Sequence, residues 1–223
     1  MTDAVGMIGL GHMGGHIATG LLEAGFVCVV HDTSAARMEA LVELGAIAAA
    51  SPRVVADLCP TVMSCLPSPE ISRQVALGEA GVAKGSAILR YVEMSTIGLA
   101  AAREIAVDLQ GEGIAFIDAP ISGGPAAAQA RTLTAMMSGD GTAIDAVEAA
   151  MKAFCQTIFR VGDAPGQAQA CKLVNNAISL SILALASEAA VFGVAAGLDA
   201  DVMIDVINAS SGRSAVTDRK STR

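Results

Sequence analysis

The chain has no tryptophan, one tyrosine and five phenylalanines in 223 residues. Whatever core it buries is therefore aliphatic and rich in small side chains rather than built on aromatic anchors. Basic residues are also scarce, 14 against 22 acidic, for a net charge of −8. A nucleic acid or anionic membrane surface would repel such a chain unless its cations were concentrated in one patch. The only basic cluster is Arg213, Arg219, Lys220 and Arg223 near the end, which reads as a solvated tail. Neither nucleic acid nor membrane is expected as a partner.

The cysteines Cys28, Cys59, Cys65, Cys155 and Cys171 are scattered and odd in number, without a CxxC pair or the histidine spacing of a zinc site. They read as small buried hydrophobes in a reducing compartment. No basic segment precedes the apolar run that starts at Ala4, so no secretory signal is recognised and a cytoplasmic location is expected. Neither internal repeats nor low-complexity segments are found. What is abundant is apolar character, 53% of residues, with 23 glycines. That composition excludes a disordered chain and supports a sizeable core.

The glycines are placed with purpose. Val5 to Ile8 is a short apolar run entering Gly9-Leu10-Gly11-His12-Met13-Gly14, after which Ile17, Leu21 and Leu22 recur at helical spacing up to Gly25. Phe26 to Val30 then reads as a second, fully buried strand. Further strands are expected at Thr61–Leu66, Ala87–Met94, Ala115–Asp118, Leu133–Ser138 and Thr157–Val161. Strands alternating with helices predict an α/β fold, a Rossmann-type doubly wound, mainly parallel sheet. After Gly166 the pattern is wholly helical: one stretch of about 30 residues to Gly197, then a helix initiated by Asp199. The domains expected are residues 1–164, binding a dinucleotide, and residues 165–223, an incomplete all-α domain. The most apolar part, Ala177–Ala196, approaches membrane-span length but carries Ser179, Ser181, Ser187 and Glu188, and reads as a buried helix. Because it is apolar nearly all round, part of it would lie uncovered in a monomer, so a homo-oligomer through these helices is expected.

In Gly9-x-Gly11-x-x-Gly14 the first glycine permits a tight turn, the second lets backbone approach a pyrophosphate and the third lets helix and strand pack closely. The spacing alone is weak, but its setting between a strand and a helix is specific. Asp32 ends the second strand 18 residues after Gly14, where a carboxylate accepts hydrogen bonds from ribose hydroxyls and repels a 2′-phosphate. NAD is thus expected over NADP, with Arg37 able to soften the preference. Downstream, Asp118-Ala119-Pro120-Ile121-Ser122-Gly123-Gly124-Pro125 ends a strand in a loop whose bare amides and Ser122 hydroxyl suit a carboxylate. Lys172 lies early in the long apolar helix, with Asn176 one turn on. A lysine there either snorkels to solvent or is buried beside a ligand, where desolvation makes it a usable proton carrier.

These segments together resemble the β-hydroxyacid dehydrogenase family, typified by 3-hydroxyisobutyrate dehydrogenase. The resemblance rests on the Gly9–Gly14 fingerprint, Glu93-Met94-Ser95-Thr96, Asp118 to Gly124 followed by Thr132-Leu133-Thr134, and Gly166 with Lys172 and Asn176. It implies that Gly9, Leu10, Gly11, His12, Met13, Gly14, Asp32, Leu66, Pro67 and Thr96 line the cofactor. Ser122, Gly123 and Gly124 would hold the carboxylate of a small 3-hydroxy acid, Lys172 would exchange the hydroxyl proton, and Asn176 would orient the substrate. No metal is implied. Ala127 and Arg131 depart from the family, whose members usually carry glycine there, and only 57 residues follow Gly166 where relatives continue through several more helices. The alternatives are an NADPH-dependent glyoxylate or semialdehyde reductase of the same family, or a truncated NAD-binding protein without turnover. A 6-phosphogluconate dehydrogenase is disfavoured because Asn175 stands where that family has histidine, and an imine reductase because those usually lack the lysine.

Overall fold

The computed structural model describes residues 4–218; Arg219, Lys220 and Arg223 of the basic cluster lie outside the described residues. Two compact units are present, Met1–Lys172 and Leu173–Arg223. In the first unit, strands β1 (Ala4–Ile8), β2 (Val27–His31), β3 (Ile47–Ala48), β4 (Thr61–Ser64), β5 (Arg90–Glu93) and β6 (Ala115–Asp118) form a parallel sheet. Between them run helices α1 (Gly14–Glu23), α2 (Ala35–Val42), α3 (Pro52–Leu58), α4 (Pro69–Leu77) and α5 (Leu99–Gly111). Then follow β7 (Ile121–Ser122), α6 (Gly124–Ala130), β8 (Leu133–Ser138), α7 (Gly141–Met151) and β9 (Cys155–Gly162). Helix α8 (Gln167–Ala195) begins in the first unit, and α9 (Ala200–Ala209) belongs to the second.

The strands read as continuous apolar runs because helices cover both sheet faces. Met63, Val92 and Ile117 join the core under α1 and α7, beside Ile17, Leu21, Ile144 and Val147. Their immediate neighbours Val62, Tyr91 and Phe116 join the opposite core, beside Val55 of α3, Ala76 of α4 and Ile105 of α5. The sheet order β3-β2-β1-β4-β5-β6 reverses direction at β1. That reversal opens a crevice between the loops following β1 and β4, the place where sheets of this kind bind ligands.

The doubly wound, mainly parallel sheet is the expected one, with two short strands added. At β7 the chain continues along the same edge of β8 after a break at Ala119-Pro120: Asp118 lies opposite Ser138, Ile121 opposite Ala135 and Ser122 opposite Thr134, all antiparallel. Pro120 has no amide to donate but its carbonyl accepts from Met136 N at 3.1 Å, so the register survives the interruption.

Serine and aspartate caps set several helix starts. Ser51 and Ser68 accept from Val54 N and Ile71 N ahead of Pro52 and Pro69, and Asp140 accepts from Ala143 N at 2.8 Å. In the second unit Asp199 caps α9 as its sequence position predicted, accepting from Asp201 N and Val202 N.

One expectation is corrected. Ala177–Ala196 was expected to form a buried helix, yet Ile178, Leu180, Leu183, Leu185, Val191, Phe192 and Val194 of α8 are exposed. Among the described residues, the second unit offers only α9 and the segment after it to cover this helix, which is apolar on every side. Met203 of α9 packs where Gly193 leaves room, and a groove of about 510 Å³ stays open between the two helices. By length and composition alone, α8 is also apolar enough to cross a membrane.

At the end of α6, Arg131 occupies the left-handed region with φ of 59°, which strains any side-chain-bearing residue and suits glycine. A glycine at this position would adopt that conformation without strain. The ion pair from Arg131 to Glu23 is half exposed and offsets little of the strain. Arg131→Gly should therefore raise stability by about 0.5–1 kcal/mol in chemical denaturation; a loss of stability would contradict the backbone reading.

Candidate active site

The Gly9–Gly14 turn leaves β1 and enters α1 with almost no spare space. Gly9 has φ of +85°, and a Cβ there would strike the carbonyl oxygen of Cys65 in the loop after β4. A Cβ on Gly14 would strike the carbonyl oxygen of Gly9 itself. Gly11 differs: a Cβ there meets no protein atom within 4 Å. It would project into the crevice, so the absence of a side chain keeps space for something other than protein.

Asp32, 8% exposed, sits opposite this turn. One carboxylate oxygen accepts from Leu10 N at 2.7 Å and the other from Ser34 N at 2.8 Å. Each oxygen retains a further lone pair for a ribose hydroxyl. Arg37 reaches the same carboxylate at 3.6 Å from the crevice rim. Gly9, Gly11, His12, Met13, Gly14, Asp32, Arg37, Leu66 and Pro67 all line one cleft of about 500 Å³, joined by Ile71 and Val75 of α4. Leu10 contributes its amide to Asp32 while its side chain is buried in the core. The cleft thus pairs a bare backbone turn at a helix start with a carboxylate at the ribose distance along the second strand, and the residues present fit a dinucleotide.

The loops after β4 and β5 are tied together. Leu66 N donates to Ser95 Oγ at 2.7 Å, and Ser95 N donates to a Glu93 carboxylate oxygen at 2.9 Å. Glu93 is fully buried, and burial pushes its carboxyl above the ordinary range against the pull of serine hydrogen bonds. Thr96, next in sequence, is exposed on the loop. Ser122 ends β7 half-buried, and Gly123 and Gly124 open α6. Gly123 has φ of +133°, and a Cβ there would lie 2.6 Å from that of Ala127. The two small residues therefore pack together, and Ala127 leaves no room for a side chain at 123.

Lys172 lies in α8 and is only 8% exposed, whereas Leu173, Val174 and Asn175 after it are exposed. Desolvation lowers its pKa from that of an ordinary lysine. Asn176 is half-buried one turn further along α8, in the second unit. The first turn of α8 is held by Asp118, which the sequence marked only as the start of the Ser122 loop, and by Ser138 and Gln169, which it did not single out. Asp118 at the end of β6 accepts from Gly166 N at 3.0 Å, Gln169 N at 3.1 Å and Gln169 Nε2 at 2.7 Å. Ser138 Oγ accepts from Ala168 N at 3.0 Å. Gln169 Oε1 accepts from Ile97 N and Gly98 N. The sequence carried one hint, a glutamine three residues before Lys172 on an apolar helix face. Among the described residues no group of three or more His, Cys, Asp or Glu could hold a metal ion.

A glycine turn on a switch-point crevice, a buried carboxylate facing that turn and a buried lysine are the features of a Rossmann-type, dinucleotide-dependent oxidoreductase. Comparison with known proteins refines this. Residues 4–162 match the NAD binding domain of 6-phosphogluconate dehydrogenase, and residues 166–223 match the NAD-binding region of NADP-dependent 3-hydroxyisobutyrate dehydrogenase. The chain belongs to the β-hydroxyacid dehydrogenase family of NAD(P)-dependent enzymes acting on CH–OH groups.

Among curated relatives, the NAD-dependent L-serine dehydrogenase of Pseudomonas aeruginosa is 37% identical over 212 residues, 93% of this chain and 70% of its own length. Among solved structures, 3-hydroxyisobutyrate dehydrogenase from Salmonella typhimurium superposes with a TM-score of 0.87 at 30% identity, covering 99% of this chain and 77% of that one. The Mycobacterium tuberculosis 3-hydroxyisobutyrate dehydrogenase with L-serine gives 0.90 at 26% identity, covering all of this chain and 76% of that one.

The glycine geometry separates binding from folding. Gly11→Ala should leave thermal stability nearly unchanged while weakening NAD binding by roughly tenfold or more, because its methyl group fills ligand space. Gly14→Ala should lower both, because its methyl group meets the Gly9 carbonyl. Equal behaviour of the two variants in calorimetry and NAD titration would refute the distinction.

Proposed function

We propose that this protein oxidises the hydroxyl-bearing carbon of a small 3-hydroxy acid with NAD⁺, and runs the reverse reduction, with Lys172 as general base and acid. The observation that carries the proposal is the burial of Lys172 on a helix whose first turn is hydrogen-bonded to the strand leading into the Ser122 loop. The bound dinucleotide supplies the hydride exchange. Lys172, whose amine is made easier to deprotonate by desolvation, takes the hydroxyl proton in oxidation and returns it in reduction. The Ser122 hydroxyl and the amides at Gly123 and Gly124 hold the substrate carboxylate, Thr96 lies by the nicotinamide ribose, and Asn176 orients the hydroxyl. L-Serine is itself a small 3-hydroxy acid, so the serine dehydrogenase relative and the serine-bound neighbour support this substrate class.

Asp32 supports NAD over NADP, since a 2′-phosphate would meet a fixed carboxylate. Arg37 at 3.6 Å favours a second reading in which NADP is also accepted. A steady-state screen of 3-hydroxyisobutyrate, 3-hydroxypropionate, glycerate, threonate and serine with each cofactor tests both. Turnover of at least one acid with NAD⁺ as the better oxidant is expected; no turnover of any acid overturns the activity, and NADP⁺ as the better oxidant overturns the cofactor preference.

Lys172→Ala should lower kcat by about 10²–10⁴-fold with little change in NAD affinity; near-normal turnover would refute the role. The same lysine affects stability. Between its lowered folded pKa and the ordinary value of 10.5, the unfolded chain holds a proton that the folded chain has released, so stability rises with pH across that window. Below the window a buried ammonium opposes folding. Lys172→Met should therefore be more stable than the parent at neutral pH and should lose the alkaline rise; denaturation from pH 7 upward checks this.

A further inference from the structure

Gln169 and Asp118 are both fully buried, polar and remote in sequence, and neither lines the cofactor cleft. Their bonds converge from three directions. Gln169 Oε1 accepts from Ile97 N at 2.9 Å and Gly98 N at 3.1 Å, just after Thr96. Gln169 Nε2 donates to the Ser95 carbonyl at 3.1 Å and to Asp118 Oδ1 at 2.7 Å. Asp118 Oδ2 accepts the Gly166 and Gln169 amides of the α8 start, and Ser138 Oγ donates to it at 3.4 Å. The amide orientation is fixed by this chemistry: its oxygen faces only donors and its nitrogen only acceptors. Every group facing Asp118 is likewise a donor, which matches a carboxylate and opposes the pull of burial toward the neutral acid.

Resting on the proposed role of Lys172, we infer that Asp118 and Gln169 form a positioning clasp. It sets the Lys172 amine against both the Thr96 loop and the Ser122 loop, so that the rate of proton transfer depends on two residues that do not touch substrate. Lys172 follows Gln169 by three residues on one rigid helix, so rotating or lifting the first turn displaces the amine directly. Both side chains belong to the same unit as the loops they join.

The pair can be inverted. Asp118→Asn opposes an amide nitrogen to an amide nitrogen, Gln169→Glu opposes two carboxylates and also turns an acceptor toward the Ser95 carbonyl, and the double variant restores the donor–acceptor pair between 118 and 169 but not the bond to Ser95. With 3-hydroxyisobutyrate or L-serine as substrate, each single variant should lose about tenfold or more in kcat with KM values for acid and NAD⁺ within about threefold, and the double variant should turn over faster than either single. Single variants within about twofold of the parent kcat, or a double variant no better than the singles, would overturn the clasp. If a single variant does not fold, Gln169→Met, which keeps the volume and adds no like charge, takes its place with the same expectation.

Hydrogen exchange supplies a readout independent of turnover. The singles should lose amide protection both at 95–98 and at 166–172, and the double variant should regain it at 166–172; loss confined to one segment in the singles would overturn the clasp. A parent protein with no turnover on any acid, but with this coupled exchange, would refute the functional reading and retain the clasp as a joint between the segments.

Discussion

A carboxylate buried at the end of a β-strand is costly unless it is hydrogen-bonded, and Asp118 accepts four bonds, three of them from the start of α8. The first turn of α8 begins with amides that have no partner within the helix. Gln167 N finds the Ala164 carbonyl, Ala168 N finds Ser138 Oγ, and Gln169 N finds Asp118. Helix start and sheet edge thereby solve each other's problem. Removing one side would leave a buried charge or orphan amides, at about 1–3 kcal/mol for each group left unsatisfied. The same residue opens the Asp118–Gly124 loop, so the capping of α8 and the direction of the loop follow from one side chain.

The cofactor cleft rests on a second chain of contacts of the same kind. Glu93 is buried behind the sheet end, accepts from the Ser95 amide, and is approached by the hydroxyl of Tyr91 at 3.4 Å. Ser95 Oγ in turn receives Leu66 N, and Cys65 N bonds the Ile8 carbonyl just ahead of Gly9. The wall and floor of the cleft are therefore joined through the first loop residues after β4 and β5, which bond to one another and back to the ends of β1 and β5. The Cys65 carbonyl leaves no room for a side chain at the first glycine and the Gly9 carbonyl leaves none at the third, while the middle glycine faces open space.

Much of this was legible in the sequence because it is written locally. The glycine spacing, the acid 18 residues on, the apolar strands and the lone lysine in an apolar helix all act within a few turns of chain. Three features were not. β3 has two residues, both exposed, and β7 follows a proline that normally ends a strand; each is defined only by its partner's register. Gln169 looked like an ordinary helical polar residue because its partners at Ser95, Ile97, Gly98 and Asp118 lie 51 to 74 positions away. The exposure of α8 was half legible: apolar character nearly all round implied that part of it would lie uncovered in a monomer, but displayed no face from which the extent could be read.

The placement of Lys172 follows from these constraints. A group that must gain and lose a proton at one atom is best carried on an element that cannot drift, because a misplacement of about 1 Å costs roughly a hundredfold in rate. Ser122 ends β7 opposite Thr134 of β8, and Thr96 lies on the loop after β5, followed by the Ile97 and Gly98 amides that Gln169 holds. Lys172 instead sits one turn into a helix, at a rise of about 4.5 Å from Gln169. Its position is thus inherited from the capped turn, and the division between the two units falls immediately after it. Asn176 lies beyond that division, whereas Lys172 belongs to the unit that carries the glycine-turn cleft, so the proton exchange proposed for its amine rests on contacts within that unit.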